Sequence, residues 1–169
     1  MTSEARSWWK TAILLVVGIN AVGFLAGQVA GSGYGNPWFD ALRQPSFMPP
    51  GWLFGAAWTL LYTLLGIAAA MIHALPRSKE RRDALALFWI QMLLNFTWSP
   101  IFFGAHDMNL GRIVLIVLVI LSAMAAGKFY RLKPLAGLLM IPYLGWLIFA
   151  TVLNNAFIDL NPGASASLL

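Results

Sequence analysis

The sequence contains no cysteine and very little charge. Six acidic and eleven basic side chains make up 10% of the 169 residues, whereas hydrophobic residues make up 60%. A soluble domain carries about 25% charged residues because its surface must stay hydrated. The composition therefore excludes a soluble enzyme and a disordered chain. The lack of cysteine excludes disulfides, thiolate nucleophiles and cysteine-based zinc sites.

Five segments lack Asp, Glu, Lys and Arg over a length that suits a membrane crossing. About 20 apolar residues span the roughly 30 Å of bilayer hydrocarbon. The fourth segment is shorter, but Arg112 and Lys128 at its ends can extend their charged groups towards water. The pattern predicts an all-α membrane protein, a single bundle of five transmembrane helices over residues 1–169. The predicted spans are 10–30, 51–75, 84–104, 109–129 and 134–157, with a loop at 31–50.

Basic side chains are divided unequally between the two sides of this predicted bundle. The N-terminus and the loops after spans two and four hold nine of the eleven, whereas Arg43 and Arg112 are on the other side. The positive-inside rule then predicts a cytoplasmic N-terminus and an external C-terminus. Short basic clusters at helix ends suit anionic lipid, so we expect membrane lipid and no nucleic acid as partners.

Ionisable side chains are missing from the middle of the predicted spans, which argues against a proton-driven carrier. The two histidines, His73 and His106, fall at opposite faces of the bilayer, so a bis-histidine haem site is not expected. The sequence offers no catalytic triad, carboxylate pair or phosphate-binding loop. We therefore predict no catalytic residues, no metal site and no obligatory cofactor.

Aromatic and amide side chains recur at helical spacing in three spans. They are Trp58 and Tyr62 in span two, Phe88, Gln91, Asn95, Trp98 and Phe102 in span three, and Tyr143, Trp146, Ala150, Leu153 and Phe157 in span five. The stripes fit ordinary bundle packing, with the amides joining helices. They also fit a cavity walled by flat rings, which suits a flat and mostly apolar ligand. The spacing alone leaves both interpretations open.

Proline and glycine predict where the helices bend and approach one another. Pro100 and Pro142 should each remove a backbone hydrogen bond and bend spans three and five. Gly23, Gly27 and Gly31 form a ridge at four-residue spacing, which favours close helix packing within the chain or at a dimer seam.

The loop at 31–50 is rich in glycine and proline but also carries Trp38, Phe39 and Phe47. These rings are too apolar for a simple hydrated linker, and long ordered loops are often lids. We therefore expect this loop to cover one end of the bundle.

Several runs of residues resemble one known family in the same order along the chain. The run Trp38–Gly51, WFDALRQPSFMPPG, resembles the first loop of the TspO family, the tryptophan-rich sensory proteins related to the mitochondrial peripheral-type benzodiazepine receptor. The runs AWTLLY at 57–62, NFTWSPIFFG at 95–104 and PYLGW at 142–146 are similar to its second, third and fifth helices. The resemblance covers roughly residues 12–162 and favours a bacterial-type member in the cell membrane.

The resemblance implies a five-helix bundle, usually a homodimer, with a pocket beneath the first loop. Family members bind porphyrins, haem-related tetrapyrroles, benzodiazepine-like compounds and, in some cases, cholesterol. By position in the matching runs, the implied ligand-binding residues are Trp58, Tyr62, Asn95, Trp98, Trp146, Ala150 and Leu153, and the implied lid residues are Trp38, Pro45, Phe47 and Pro49. The chain is accordingly expected to be a receptor or carrier for tetrapyrroles that regulates their traffic.

The sequence departs from the family pattern at two places, and two alternative functions stay open. Phe47 stands where the family often has tryptophan, so one lid ring is smaller and lacks an N–H. The end of span five lacks the tyrosine and basic residue of the cholesterol-recognition pattern, so cholesterol is not expected. Similar proteins promote light-dependent porphyrin breakdown, which keeps an enzymatic activity open, and a ligand-free structural adaptor is the other alternative.

Overall fold

The computed structural model describes residues 8–165, and every regular element in that range is a helix. The elements are α1 (Trp8–Val29), α2 (Pro37–Asp40), α3 (Gly51–His73), α4 (Lys79–Ser99) with a π-helical continuation at Pro100–Gly104, α5 (Met108–Leu132), α6 (Pro134–Leu138) and α7 (Ile141–Leu160). The predicted all-α fold class is confirmed.

Among residues 8–165, five helical segments are long and apolar enough to cross a membrane, as the charge-free segments predict. They are Trp8–Val29, Gly51–His73, Lys79–Gly104, Met108–Leu132 and Pro134–Leu160. The third begins five residues before the predicted boundary because the charged run at 79–83 is itself helical. Ser78 starts that helix, since its hydroxyl accepts a hydrogen bond from the Arg81 N–H at 3.1 Å. The chain is therefore a multi-pass membrane protein.

The two prolines in question have different effects on their helices. At Pro100 the helix widens into a π-helical turn, and the Ala105 N–H donates to the Pro100 carbonyl at 2.8 Å. The predicted disruption near the start of span five is present, but it is a break in the helix just before Pro142 and not a bend at the proline itself. The fifth span is interrupted earlier, at residues 139–140, and Pro142 lies in the first turn of α7. A proline there loses no intrahelical hydrogen bond, because the first N–H groups of a helix have no partner within it.

The three glycines do not form a ridge against a neighbouring helix within the described chain, and their role at a dimer seam stays a prediction. Only Gly23 meets another helix, since a Cβ there would overlap the ring of Tyr62 in α3. Gly31 lies beyond the end of α1 with φ of 60°, where it closes the helix. The Gly31 and Ser32 N–H groups donate to the carbonyls of Gln28 and Gly27, which satisfies two terminal acceptors.

The closest approach between α1 and α3 is supplied by a glycine on the other helix. A Cβ at Gly66 would lie 2.8 Å from backbone atoms of Val16. Nearer residues 27 and 55 the helices are less close, since a Cβ at Gly55 would meet nothing within 4 Å and one at Gly27 would meet only Ser32. The end of the bundle that carries residues 30–50, 104–108 and 161–165 is called the loop side here. The separation of α1 from α3 on the loop side makes room for a cavity.

Candidate ligand-binding cavity

A cavity of about 580 Å³ lies between the helices beneath the loop at 31–50. This volume is within the range of small-molecule sites, about 300–1,000 Å³. All seven residues named from the sequence line it: Trp58, Tyr62, Asn95, Trp98, Trp146, Ala150 and Leu153. Three helices, α3, α4 and α7, contribute them, so stripes that are far apart in the sequence meet around a single space.

Trp58 is the central ring of the cavity wall. Its ring centroid lies 5.1 Å from that of Tyr62 and 6.2 Å from that of Trp146. Phe54 and Phe149 extend the wall towards the loop side, and both contact Trp146 through their rings. Two of these four ring contacts are edge to face and two are tilted, so none of the rings lies flat on its neighbour.

An amide and a phenol close the floor of the cavity. The Tyr62 hydroxyl donates to Asn95 Oδ1 at 2.7 Å, and both side chains are buried. This bond joins α3 to α4 and fixes the direction of the Asn95 amide. Because polar groups in hydrocarbon need partners within the protein, the bond also stabilises the bundle.

Gln91 lies one helical turn below Asn95, but it does not line the cavity. Its Oε1 accepts hydrogen bonds from the hydroxyls of Ser122 and Tyr143, each at 3.0 Å, so it links α4 to α5 and α7. Bundle packing and cavity lining, the two interpretations of the stripe, therefore apply to different residues of α4. Gln91 serves bundle packing, whereas Asn95 both joins helices and faces the cavity.

The wall formed by α4 and α7 contains two polar atoms without hydrogen-bond partners within residues 8–165. They are Trp98 Nε1 and Asn154 Oδ1. A Cβ at Gly111 would lie 3.5 Å and 3.2 Å from these atoms, so both groups converge on the same small residue of α5. The Asn154 amide nitrogen donates to the Met108 carbonyl at 2.9 Å, which holds the side chain in place.

The four residues implied as a lid lie outside the cavity lining. Trp38 packs behind the lining: its ring stacks on His106 at 4.6 Å and meets the ring of Phe102 edge to face at 5.6 Å, and its Nε1 donates to the Ala164 carbonyl at 3.1 Å. Pro45 is buried within the loop, Phe47 is half exposed beside Phe149, and Pro49 precedes α3. The loop residues that do line the cavity include Ser32, Tyr34, Phe39 and Met48.

Sequence reasoning missed several lining residues, and only some had a signal. Phe54 lies four residues before Trp58, so extending the span-two stripe by one turn identifies it. Phe149 lies three residues after Trp146, beside the span-five stripe, so widening that stripe identifies it. Asn154 follows Ala150 by four residues in the same way. Tyr34 and Met48 belong to the loop, where no helical periodicity indicates which way a side chain points.

Residues 38–43 of the loop are hydrogen-bonded to residues 161–164, near the end of the described chain. Asn161 Oδ1 accepts the Arg43 N–H at 2.7 Å, and Asn161 Nδ2 donates to the Arg43 carbonyl at 3.0 Å. Together with the Trp38 bond to Ala164, these contacts anchor residues 38–43 against the segment that follows α7. The loop is thus a structured cover with a fixed outer edge.

The described residues that line the cavity carry no charged side chain. Within residues 8–165 there is also no group of three or more histidine, cysteine or acidic side chains placed to hold a metal ion. The arrangement can enclose a flat apolar molecule between rings and offer it a few neutral hydrogen-bonding groups.

Comparison with known proteins agrees with this architecture. Residues 12–159 match the TspO/MBR family. Protein CrtK of Rhodobacter capsulatus is 39% identical over 75% of this chain and 79% of its own length. Tryptophan-rich protein TspO of Archaeoglobus fulgidus is 38% identical over 86% and 94%, and the translocator protein of Sus scrofa is 36% identical over 86% and 87%. The chain belongs to the TspO/MBR family.

Proposed function

We propose that this membrane protein is a receptor or carrier that binds porphyrins and related tetrapyrroles in the cavity beneath the loop. Benzodiazepine-like compounds, which are also flat and mostly apolar, would occupy the same space. Binding would regulate tetrapyrrole traffic or a stress response. The observation that carries this proposal is the convergence of seven aromatic, amide and aliphatic residues from three helices on one space of about 580 Å³ whose described lining carries no charge.

The chemistry of the wall supports a tetrapyrrole more than a compact ligand. Indole faces can stack on a macrocycle, and each lost aromatic stack costs about 0.5–1.5 kcal/mol beyond area burial. Asn95, held by Tyr62, can orient a ligand that has polar edges. The printed names of the relatives, "translocator protein" and "tryptophan-rich sensory protein", are compatible with carriage and with signalling.

Binding is tested by titrating protoporphyrin into the purified chain in lipid nanodiscs while tryptophan fluorescence is followed. Ala150→Phe should abolish quenching because the added ring fills the cavity. Val152→Phe is the matched control, since Val152 is exposed on the same helix and does not line the cavity. Trp146→Phe should weaken binding about tenfold or less, and Trp146→Ala should weaken it more. If Ala150→Phe binds like the wild type, the ligand lies elsewhere.

The charge distribution and the family support a proposal for the membrane, the oligomeric state and the orientation of this receptor. We place it in the bacterial cell membrane as a homodimer with a cytoplasmic N-terminus, which puts the loop side outside the cell. If no tetrapyrrole binds saturably, a ligand-free structural adaptor becomes the better interpretation.

A second candidate function is light-dependent porphyrin breakdown at the same site. It is favoured by Trp58 and Trp146, two oxidisable rings 6.2 Å apart that both line the cavity. Illuminated protoporphyrin should then lose absorbance faster with the wild type than with Trp58→Phe. Equal loss with the wild type, with Trp58→Phe and without protein would exclude this activity.

A further inference from the structure

Two tyrosine rings flank Trp58, and an amide side chain of α4 holds the hydroxyl of each tyrosine. The Tyr62 ring centroid lies 5.1 Å from that of Trp58, and the Tyr62 hydroxyl donates to Asn95 at 2.7 Å. The Tyr143 ring centroid lies 6.4 Å from that of Trp58, and the Tyr143 hydroxyl donates to Gln91 Oε1 at 3.0 Å. Because Gln91 and Asn95 are four residues apart, the two amides lie one turn apart on the same face of α4.

The second of these bonded pairs differs from the first in its relation to the cavity. Tyr62 and Asn95 both line the cavity, whereas Gln91 and Tyr143 are fully buried and lie outside the lining. A ligand in the cavity therefore touches neither Gln91 nor Tyr143. An effect of this pair on binding has to pass through a lining residue, and Trp58 is a lining ring that Tyr143 contacts.

Bundle packing alone does not account for a glutamine at position 91. Its Oε1 accepts hydrogen bonds from the hydroxyls of Tyr143 and Ser122, but its Nε2 is buried and has no hydrogen-bond partner within residues 8–165. A buried amide N–H without a partner is unfavourable, and the bilayer interior has no water to supply one. A leucine would fill a similar volume without this cost. The presence of glutamine is therefore explained by the two hydroxyls that its oxygen holds.

We propose that Gln91 is a positioning residue of the cavity, which holds the Tyr143 hydroxyl and so fixes the ring on which Trp58 packs. This inference rests on the proposed ligand binding and adds a residue that acts on binding without touching the ligand. Without the Gln91 oxygen, the Tyr143 hydroxyl is a buried donor that has lost its acceptor, so the ring turns to find another. Trp58 then loses the edge contact that sets its direction in the wall.

Two substitutions that each remove one hydrogen bond from the same oxygen separate positioning from stability. Tyr143→Phe and Ser122→Ala each delete a bond of 3.0 Å to Gln91 Oε1. Both should lower the melting temperature of the full chain in nanodiscs to a similar degree. Only Tyr143→Phe should weaken protoporphyrin binding, by about two- to fivefold, because only Tyr143 has a ring that packs on Trp58.

Gln91→Leu removes the acceptor and leaves every aromatic residue in place. It should weaken protoporphyrin binding about as much as Tyr143→Phe does. The double variant should bind no more weakly than either single variant, because both substitutions break the same bond. Gln91→Leu should also change the near-ultraviolet circular dichroism of the ligand-free chain, which reports the packing of aromatic rings, whereas Ser122→Ala should leave that spectrum unchanged.

The outcomes separate this proposal from the proposed function. If protoporphyrin does not bind the wild type, the proposed function fails, and the circular dichroism of Gln91→Leu still tests the positioning. If Gln91→Leu keeps the wild-type affinity and spectrum, or if Ser122→Ala weakens binding as much as Tyr143→Phe does, Gln91 serves packing only and the proposal is overturned. If Gln91→Leu does not fold, the comparison of Tyr143→Phe with Ser122→Ala decides.

Discussion

Removing the anchor between the loop and the segment after α7 should speed ligand release. Asn161→Ala deletes both hydrogen bonds to the Arg43 backbone, one at 2.7 Å and one at 3.0 Å. A net contribution of about 0.5–1.5 kcal/mol for each bond gives about 1–3 kcal/mol for the pair. Because both bonds are exposed to water, the lower end applies. About 1 kcal/mol corresponds to roughly a fivefold faster opening of the cover.

The measurement is stopped-flow displacement of protoporphyrin by excess competing ligand, with recovery of tryptophan fluorescence as the signal. Dissociation should accelerate about fivefold, whereas equilibrium affinity should change little, since a cover slows entry and escape together. Asn161→Asp keeps the acceptor for the Arg43 N–H and loses the donor, so it should be intermediate. Ser46→Ala changes the same loop without a bond to another segment and should have no effect. An unchanged dissociation rate in Asn161→Ala, with binding intact, would show that the loop does not gate the cavity.

Trp38 illustrates what the sequence could and could not predict about this loop. The aromatic residues of the loop indicated a structured cover, and the loop does lie over the cavity. Nothing local indicated that Trp38 would stack on His106 and bond to Ala164, because those partners lie 68 and 126 residues away in the chain. The direction of a loop side chain depends on such distant contacts, whereas the direction of a helical side chain follows from its position in the turn.

The helices were predictable because hydrophobic length and spacing are local properties. The five spans follow from runs without charge, and Trp58, Asn95 and Trp146 meet in the cavity because each lies on a stripe with a fixed face. The prediction that the glycine ridge packs within the chain failed for the opposite reason. A small residue permits close packing, but its position in the sequence does not determine which helix it contacts. In the structure, Gly66 of α3 makes the close contact with Val16 of α1.

The remaining predictions concern topology and helix packing. A reporter active only in the cytoplasm, fused after Leu169, should give no signal, and a strong signal would contradict the proposed orientation. Gly66→Ala should lower the melting temperature because its Cβ would meet Val16 backbone that cannot rotate away, whereas Gly18→Ala, with nothing within 4 Å, should be neutral or stabilising. Gly23→Ala should affect the ligand site as well as the fold, because its Cβ would displace the Tyr62 ring and break the bond that holds Asn95. We therefore expect Gly23→Ala to weaken porphyrin binding and to lower stability together. Gly27→Ala, whose Cβ would only touch Ser32 at 3.8 Å, should change neither. Wild-type binding and melting in Gly23→Ala would mean that Tyr62 moves without consequence and does not form the cavity floor.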